Sequence, residues 1–109
     1  MEKIKLDSVQ ITGLPLYEMQ QMFRASGAYA DMKMSYITLL PGRRVPATGT
    51  GAHEEDEYSF FLEGEVYTES GGFAGICRAG EATLIPRGEA HWCENRTDKP
   101  CRLVCVLLK

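Results

Sequence analysis

Short runs of β-branched and aromatic residues follow one another along the chain from Asp31 onward, separated by Gly, Pro and Asp. Such runs occupy residues 34–40, 58–62, 66–69, 81–85 and 101–108. Runs of this length, bounded by turn-forming residues at regular spacing, are typical of the strands of a sandwich or a barrel. The pattern therefore predicts an all-β fold.

One segment fits two kinds of element. Residues 16–24 have the composition of a helix, and Pro15 is well placed to open one. The same residues also suit an amphipathic strand at the edge of a sheet. The sequence leaves both possibilities open for this segment.

The strand predicted near residue 58 begins with a carboxylate. Successive side chains of a strand point to opposite faces, so Glu57 shares a face with Ser59 and Phe61. The rest of this run is apolar on both faces. A carboxylate at the mouth of such a strand is costly to bury without a partner, which is commonly a metal ion or a second polar group. Glu57 is therefore a candidate functional residue.

The chain has two histidines, His53 and His91, and each lies between turn-forming residues and a strand-like run. Alternation places His91 on one face with Cys93 and Asn95, and turns Trp92 to the opposite face. The second histidine therefore has polar neighbours. We expect Cys93, Ser59 and Asn95 to line the same pocket.

Size and charge limit the kinds of function. A chain of 109 residues has room for one domain and one site. The formal net charge of -3 argues against a nucleic-acid partner, because such proteins neutralise phosphates with cationic side chains. The apolar run at residues 103–108 is far shorter than the ~20 residues that cross a bilayer. We therefore expect neither nucleic acid nor a membrane as a partner.

The first residues and the cysteines bear on the compartment. The N-terminal segment lacks the apolar core of a secretory signal, which predicts a cytoplasmic location. The four cysteines contain no CxxC pair, so reduced thiols are favoured over a disulfide framework. They are Cys77, Cys93, Cys101 and Cys105.

Two motifs resemble those of a known family. The stretch Gly80-x5-Pro86-x-Gly88-x2-His91-x3-Asn95 is similar to the second cupin motif at every fixed position. The stretch His53-x3-Glu57-x6-Gly64 is similar to the end of the first cupin motif. The first histidine of that motif is missing, because Gly51 occupies its place.

The resemblance implies a fold and an assembly. Cupins are double-stranded β-helix barrels of the jelly-roll kind, with two antiparallel sheets packed face to face and the motif residues pointing inward. It implies a barrel at residues 34–109, preceded by an extension at residues 1–33 that packs on the barrel or on a partner copy. Small cupins are commonly dimers, so we expect a homodimer.

The resemblance also implies a metal site. Carried over position by position, it assigns His53, Glu57 and His91 as ligands of a divalent transition metal, which could be iron, nickel, zinc, copper or manganese. Gly51 cannot supply the fourth ligand. Cys93 shares the inward face with His91, so it is a candidate for the pocket wall first and for the metal second.

Several functions remain open at this point. The chain could be a metal-dependent enzyme of the dioxygenase, isomerase, decarboxylase or lyase type, acting on a small polar molecule. It could equally be a metal-free, sensor-like module that binds a small ligand, or a structural dimer with a vestigial pocket. For a further acid or base the sequence offers only Tyr58, Tyr67 and the acidic run at 54–56.

Overall fold

The computed structural model describes residues 5–25 and 30–109. Within these residues it contains ten strands, one 3-10 turn at Leu6–Ser8 and no α-helix, which confirms the all-β prediction. The strands are β1 (Thr12–Gly13), β2 (Tyr17–Ala25), β3 (Met32–Leu39), β4 (Arg44–Val45), β5 (Asp56–Glu63), β6 (Glu65–Ser70), β7 (Phe73–Arg78), β8 (Ala82–Ile85), β9 (His91–Glu94) and β10 (Cys101–Leu108).

The strands form two antiparallel sheets that face each other. One sheet has the order β1-β2-β3-β10-β5-β8 and the other the order β4-β9-β6-β7. Side chains of both sheets meet in a core of Leu39, Phe61, Val66, Cys77 and Cys101. Because each sheet buries only one face, this packing gives the jelly-roll barrel that the motifs implied.

The segment at residues 16–24 is a strand. It forms most of β2, which pairs antiparallel with β3 and places Tyr17 opposite Leu39. The helical alternative is therefore wrong. Backbone pairing with β3 outweighs a modest helix propensity, since propensity is a weak local preference. In this way the described part of the predicted 1–33 extension contributes two strands to the six-stranded sheet. A domain division at residue 33 stays a prediction.

Strand β5 shows the alternation that its sequence predicts. Ser59 and Phe61 are buried between the sheets, each 6% exposed. Tyr58, Phe60 and Leu62 are on the other face and are 44–48% exposed. This alternation places Glu57, the second residue of β5, on the inward side with Ser59.

Candidate metal centre

His53, Glu57 and His91 come together between the two sheets. One ligand atom from each lies within 4.8 Å of the others. Glu57 belongs to β5 of the six-stranded sheet and His91 opens β9 of the four-stranded sheet, while His53 precedes β5. The two imidazole rings meet edge to face with their centroids 5.1 Å apart. Residues distant in sequence therefore form one cluster of three potential ligands.

Backbone hydrogen bonds fix the segments that carry the histidines. Gly51 and His91 exchange two N–H···O bonds, both 2.9 Å long. The N–H of Gly88 donates to the carbonyl oxygen of His53 at 2.8 Å. Gly88 has a φ of +80°, a conformation that favours glycine, and it follows Pro86 in the turn that leads to β9. The motif turn thus links the first histidine segment to the second.

Each histidine is oriented by its Nδ1 atom. His53 Nδ1 lies 3.0 Å from the carbonyl oxygen of Glu55, and His91 Nδ1 lies 2.9 Å from that of Glu89. Since a carbonyl oxygen can only accept, each Nδ1 donates its hydrogen. In a neutral imidazole this leaves the lone pair on Nε2. Metal-binding histidines are held in the same way, with the second nitrogen donating to a carbonyl or carboxylate.

The cluster fits a divalent transition metal. His53 Nε2 lies 3.4 Å from Glu57 Oε1, so in the neutral tautomer two electron-pair donors face each other. Such an arrangement is repulsive unless a cation or a proton lies between the atoms. Two imidazole nitrogens and one carboxylate form the donor set that divalent iron, zinc, nickel, copper and manganese accept.

The position of the missing ligand is open and unstrained. Gly51 lies in the cavity wall, and a Cβ built on it would contact only Pro46, at 3.9 Å from two ring carbons. Its backbone does not lie in the left-handed region that favours glycine. A larger side chain at residue 51 therefore fits this backbone.

Cys93 lines the same cavity but is not part of the three-residue cluster that the described residues form. Burial raises the pKa of the Cys93 thiol to about 12, and the charge of Glu57 adds to the rise. A thiol with this pKa stays protonated at neutral pH, whereas metal ligands are thiolates. The structure thus places Cys93 in the pocket wall.

The cavity beside the cluster has a volume of about 860 Å³ and is lined by both sheets. Ser59 lines it, as its sequence position suggested. Asn95 does not, although we expected it there. Its side chain is fully buried elsewhere and spans the turn before β10: the amide donates to the carbonyls of Leu39 and Lys99, and its oxygen accepts from Thr97. Asn95 is therefore a structural residue.

Tyr17 and Cys105 are among the cavity residues that were not foreseen. Tyr17 comes from β2 and Cys105 from β10. Burial raises the pKa of the Tyr17 phenol, and the charges of Cys105 and Glu57 raise it further. For Cys105 the alternation of β10 was a usable signal, since it faces the same way as Leu103. Nothing in the local sequence indicates that Tyr17 lines the same cavity as Glu57, because only the pairing of β2 with β3 brings Tyr17 to the cavity.

The other acid–base candidates point away from the cavity. Tyr58 is exposed on the outer face of β5. Tyr67 donates a 2.7 Å hydrogen bond to Glu69, which also accepts from the indole of Trp92. The acidic run at 54–56 forms surface ion pairs, and hydrogen bonds from Arg87 lower the pKa of Asp56. These groups therefore belong to the surface.

In the part of the chain that the structure describes, no helix has the length and apolar character needed to cross a membrane.

Facing antiparallel sheets with a histidine and glutamate cluster between them define a barrel of the jelly-roll class. The family model described as "Cupin domain" matches residues 35–107, which is more than half of the chain. The chain belongs to the cupin family. No curated protein matches it.

Many solved structures share this fold. A Cupin 2 conserved barrel domain protein from Salinispora arenicola CNS-205 is 23% identical with a TM-score of 0.77, over 100% of this chain and 89% of that one. A predicted oxalate decarboxylase from Thermotoga maritima is 18% identical with a TM-score of 0.80, over 98% of each chain. The polyketide cyclase RemF from Streptomyces resistomycificus is 19% identical with a TM-score of 0.77, over 99% of this chain and 79% of that one. At these identities the similarity shows the fold alone.

Proposed function

We propose that this cupin binds a divalent transition metal through His53 Nε2, His91 Nε2 and the Glu57 carboxylate, and that the adjoining cavity binds a small molecule. One observation carries the proposal. Both histidines commit Nδ1 to a backbone carbonyl, and the remaining Nε2 of His53 faces a carboxylate oxygen at 3.4 Å. A metal cation satisfies all of these donors at once.

A metal held by three protein ligands keeps coordination positions for water or a ligand, and there it polarises an oxygen as a Lewis acid or supports oxygen chemistry. The chain's own residues then hold the ligand. The phenol of Tyr17, whose pKa is raised by burial, keeps its proton at neutral pH and can donate a hydrogen bond into the cavity. The hydroxyl groups of Ser59 and Thr68 also line the cavity.

The proposal covers a metal site and a ligand cavity, and it does not extend to one reaction. The neighbours include a protein named as a predicted oxalate decarboxylase and one named as a polyketide cyclase. One barrel thus carries different chemistries, which depend on the side chains in each cavity. Oxygenation, isomerisation, decarboxylation and elimination all remain candidate activities for this chain.

Elemental analysis tests the proposal directly. Untagged protein purified without chelators should hold close to one transition-metal ion per chain, and the His53→Ala/His91→Ala variant should hold none. Glu57→Gln should also lose the metal. Glu54→Gln is the matched control, because it neutralises a neighbouring carboxylate that is 82% exposed and pairs with Lys109.

An empty wild-type protein that also fails to take up added metal would contradict the metal site. The observation that favours a second function is Gly51, which removes one ligand from the motif. If the wild-type protein takes up no metal, we expect a metal-free binding module. It would show a ligand-dependent rise in melting temperature with no change in metal content, since ligands that prefer the folded state raise its stability.

A further inference from the structure

The cavity contains acidic side chains and no cationic ones. Among residues 5–25 and 30–109, those that line it include Glu57, Glu81 and Glu89 besides the two histidines, and no Lys or Arg. Of the three, Glu57 belongs to the proposed metal site. Glu81 and Glu89 therefore give the rest of the cavity an acidic character.

The cationic side chains of the described residues are outside the cavity lining, and many form ion pairs. These pairs are Arg24–Asp31, Lys33–Glu55, Arg87–Asp56, Arg96–Glu94, Arg102–Glu63 and Lys109–Glu54. Arg44 also lies outside the cavity lining, with its guanidinium 4.2 Å from the centroid of the Trp92 ring. In the described chain, the cavity has no cationic side chain that could recognise an anion.

This distribution of charge disfavours ligands with several anionic groups. With a divalent metal bound, Glu57 leaves one net positive charge at the site, which a single ligand carboxylate would neutralise. A second carboxylate would lie in a cavity whose other acidic groups are Glu81 and Glu89. Taking an ionised group out of water without a partner is unfavourable, so a dicarboxylate is a poor occupant.

The walls of the cavity are apolar. Ile37, Leu39 and Leu103 line it from the six-stranded sheet and Val66 from the four-stranded sheet. A volume of about 860 Å³ is near the upper end of ordinary ligand pockets, which span roughly 300–1,000 Å³. Such a space is far larger than a ligand of a few atoms requires.

The opening of the cavity is also apolar. Strand β7 is an edge strand of one sheet and β8 of the other, and both line the cavity. Phe73 on β7 lines the cavity and is 54% exposed. When an apolar ligand covers large apolar side chains at the rim of a pocket, their surface is removed from water, which makes binding more favourable.

We infer that the cavity takes a largely apolar small molecule with at most one anionic group, whose body packs against Phe73 and whose polar end faces His53, Glu57 and His91. The inference rests on the proposed function for the location of the polar end. It narrows the ligand class, because it excludes small dicarboxylates and other multiply charged anions.

Two fluorescent probes of matched shape test the ligand class. N-phenyl-1-naphthylamine is uncharged, and 8-anilino-1-naphthalenesulfonate adds a sulfonate to the same ring system. With the full chain freed of metal by a chelator, the sulfonate would lie among Glu57, Glu81 and Glu89 with no cation beside it. In about 1 M NaCl, which reduces the Debye length to about 3 Å, the uncharged probe should bind this metal-free chain about tenfold more tightly or better. Oxalate should not displace it.

Two substitutions test the location of the probe. Phe73→Ser should weaken binding of the uncharged probe by about tenfold, since it removes an apolar wall at the rim. Phe60→Ser is the matched control, because Phe60 is 46% exposed and does not line the cavity. Circular dichroism checks that each variant is folded.

Equal or tighter binding of the sulfonated probe by the metal-free chain, displacement by oxalate, or weakening by Phe60→Ser and not by Phe73→Ser would overturn the inference. The His53→Ala/His91→Ala variant should still bind the uncharged probe, since the walls are unchanged. Protein that holds metal but does not bind the uncharged probe keeps the proposed function and loses the inference. Protein that binds this probe as expected but takes up no metal keeps the inference about the ligand class and contradicts the proposed metal site.

Discussion

Gly51 is the residue at which this barrel departs from the motif it otherwise follows. Its backbone exchanges two hydrogen bonds with His91, so residue 51 is held next to the candidate ligands even though glycine offers no side chain. The surrounding space accepts a Cβ without a close contact. The departure therefore removes a ligand and leaves the scaffold of the site intact.

Replacing Gly51 by histidine should restore a four-ligand site. We expect Gly51→His to tighten metal binding by about tenfold or more, because an added imidazole on a fixed backbone supplies one more bond. Competition with a chelator of known affinity measures the change. Gly51→Ala is the control, since it adds the Cβ alone and should leave affinity unchanged; an equal gain in both variants would count against ligation by residue 51.

The buried thiols should make stability depend on pH. Burial raises the pKa of Cys101 to about 11 and that of Cys105 to about 12, from 9.0. The unfolded chain therefore releases these protons near pH 9 while the folded chain retains them, so the folded state binds more protons above that pH. By linkage, stability falls as pH rises from about 9 to 12.

Thermal unfolding between pH 7 and pH 10.5 measures this effect, and we expect the melting temperature to fall above pH 9. All four cysteines are free thiols. At pH 8 they should react with Ellman's reagent much more slowly in the native protein than in urea. Rapid labelling of all four thiols in the native protein would show that Cys101 and Cys105 are accessible, contrary to their burial.

At the scale of elements, β2 adds a side chain to the cavity and a strand to the six-stranded sheet. It pairs with β3 along its length, and its first residue, Tyr17, reaches the cavity. The side-chain amide of Gln20 donates to the carbonyls of Leu6 and Val9, which ties the N-terminal turn to the sheet. The segment is therefore an integral part of the six-stranded sheet.

A proline in β2 tests this role. Gln20 lies opposite Tyr36 in the ladder, and Gln20→Pro removes a backbone donor and the side-chain bonds. We expect a loss of about 3 kcal/mol in the free energy of unfolding, measured in urea. Gln10→Pro, at an exposed position outside the strands, should cost little. Equal effects would argue that β2 contributes nothing specific to the sheet.

At the scale of the whole molecule, the outer face of β5 exposes Tyr58, Phe60 and Leu62 in one row. These side chains are neighbours of Val104 and Val106 on β10, so the apolar surface extends across strands. Contiguous exposed apolar surface is common where protein chains associate. The homodimer expected from the sequence stays a prediction, and this face is where we expect the second copy.

Light scattering during size-exclusion chromatography tests the assembly. The wild-type chain should elute with twice its monomer mass, and Phe60→Lys should shift it to the monomer by placing a charge in the contact. Phe73→Lys is the control, because Phe73 is similarly exposed but lies at the rim of the cavity. A wild-type chain at the monomer mass would exclude the homodimer.

The sequence determined the fold class and the three candidate ligands. Short apolar runs with turn residues between them predict strands because they depend on local alternation, and the motif spacing brought His53, Glu57 and His91 into consideration. Both the alternation and each motif can be recognised from residues that are close in sequence to the positions concerned. The inward direction of Glu57 and Ser59 was predictable for the same reason.

Only the tertiary structure decided the positions of Tyr17 and Asn95. Residues 16–24 become a strand because β3 offers backbone partners, which no local pattern reports. Alternation failed for Asn95 because β9 ends at Glu94, so the two-residue period no longer applies one residue later. The acidic cavity likewise depends on long-range strand pairing, which brings Glu57 of β5 together with Glu81 and Glu89 of the segments next to β8 and β9. Contacts between distant residues, and not local sequence, set these features.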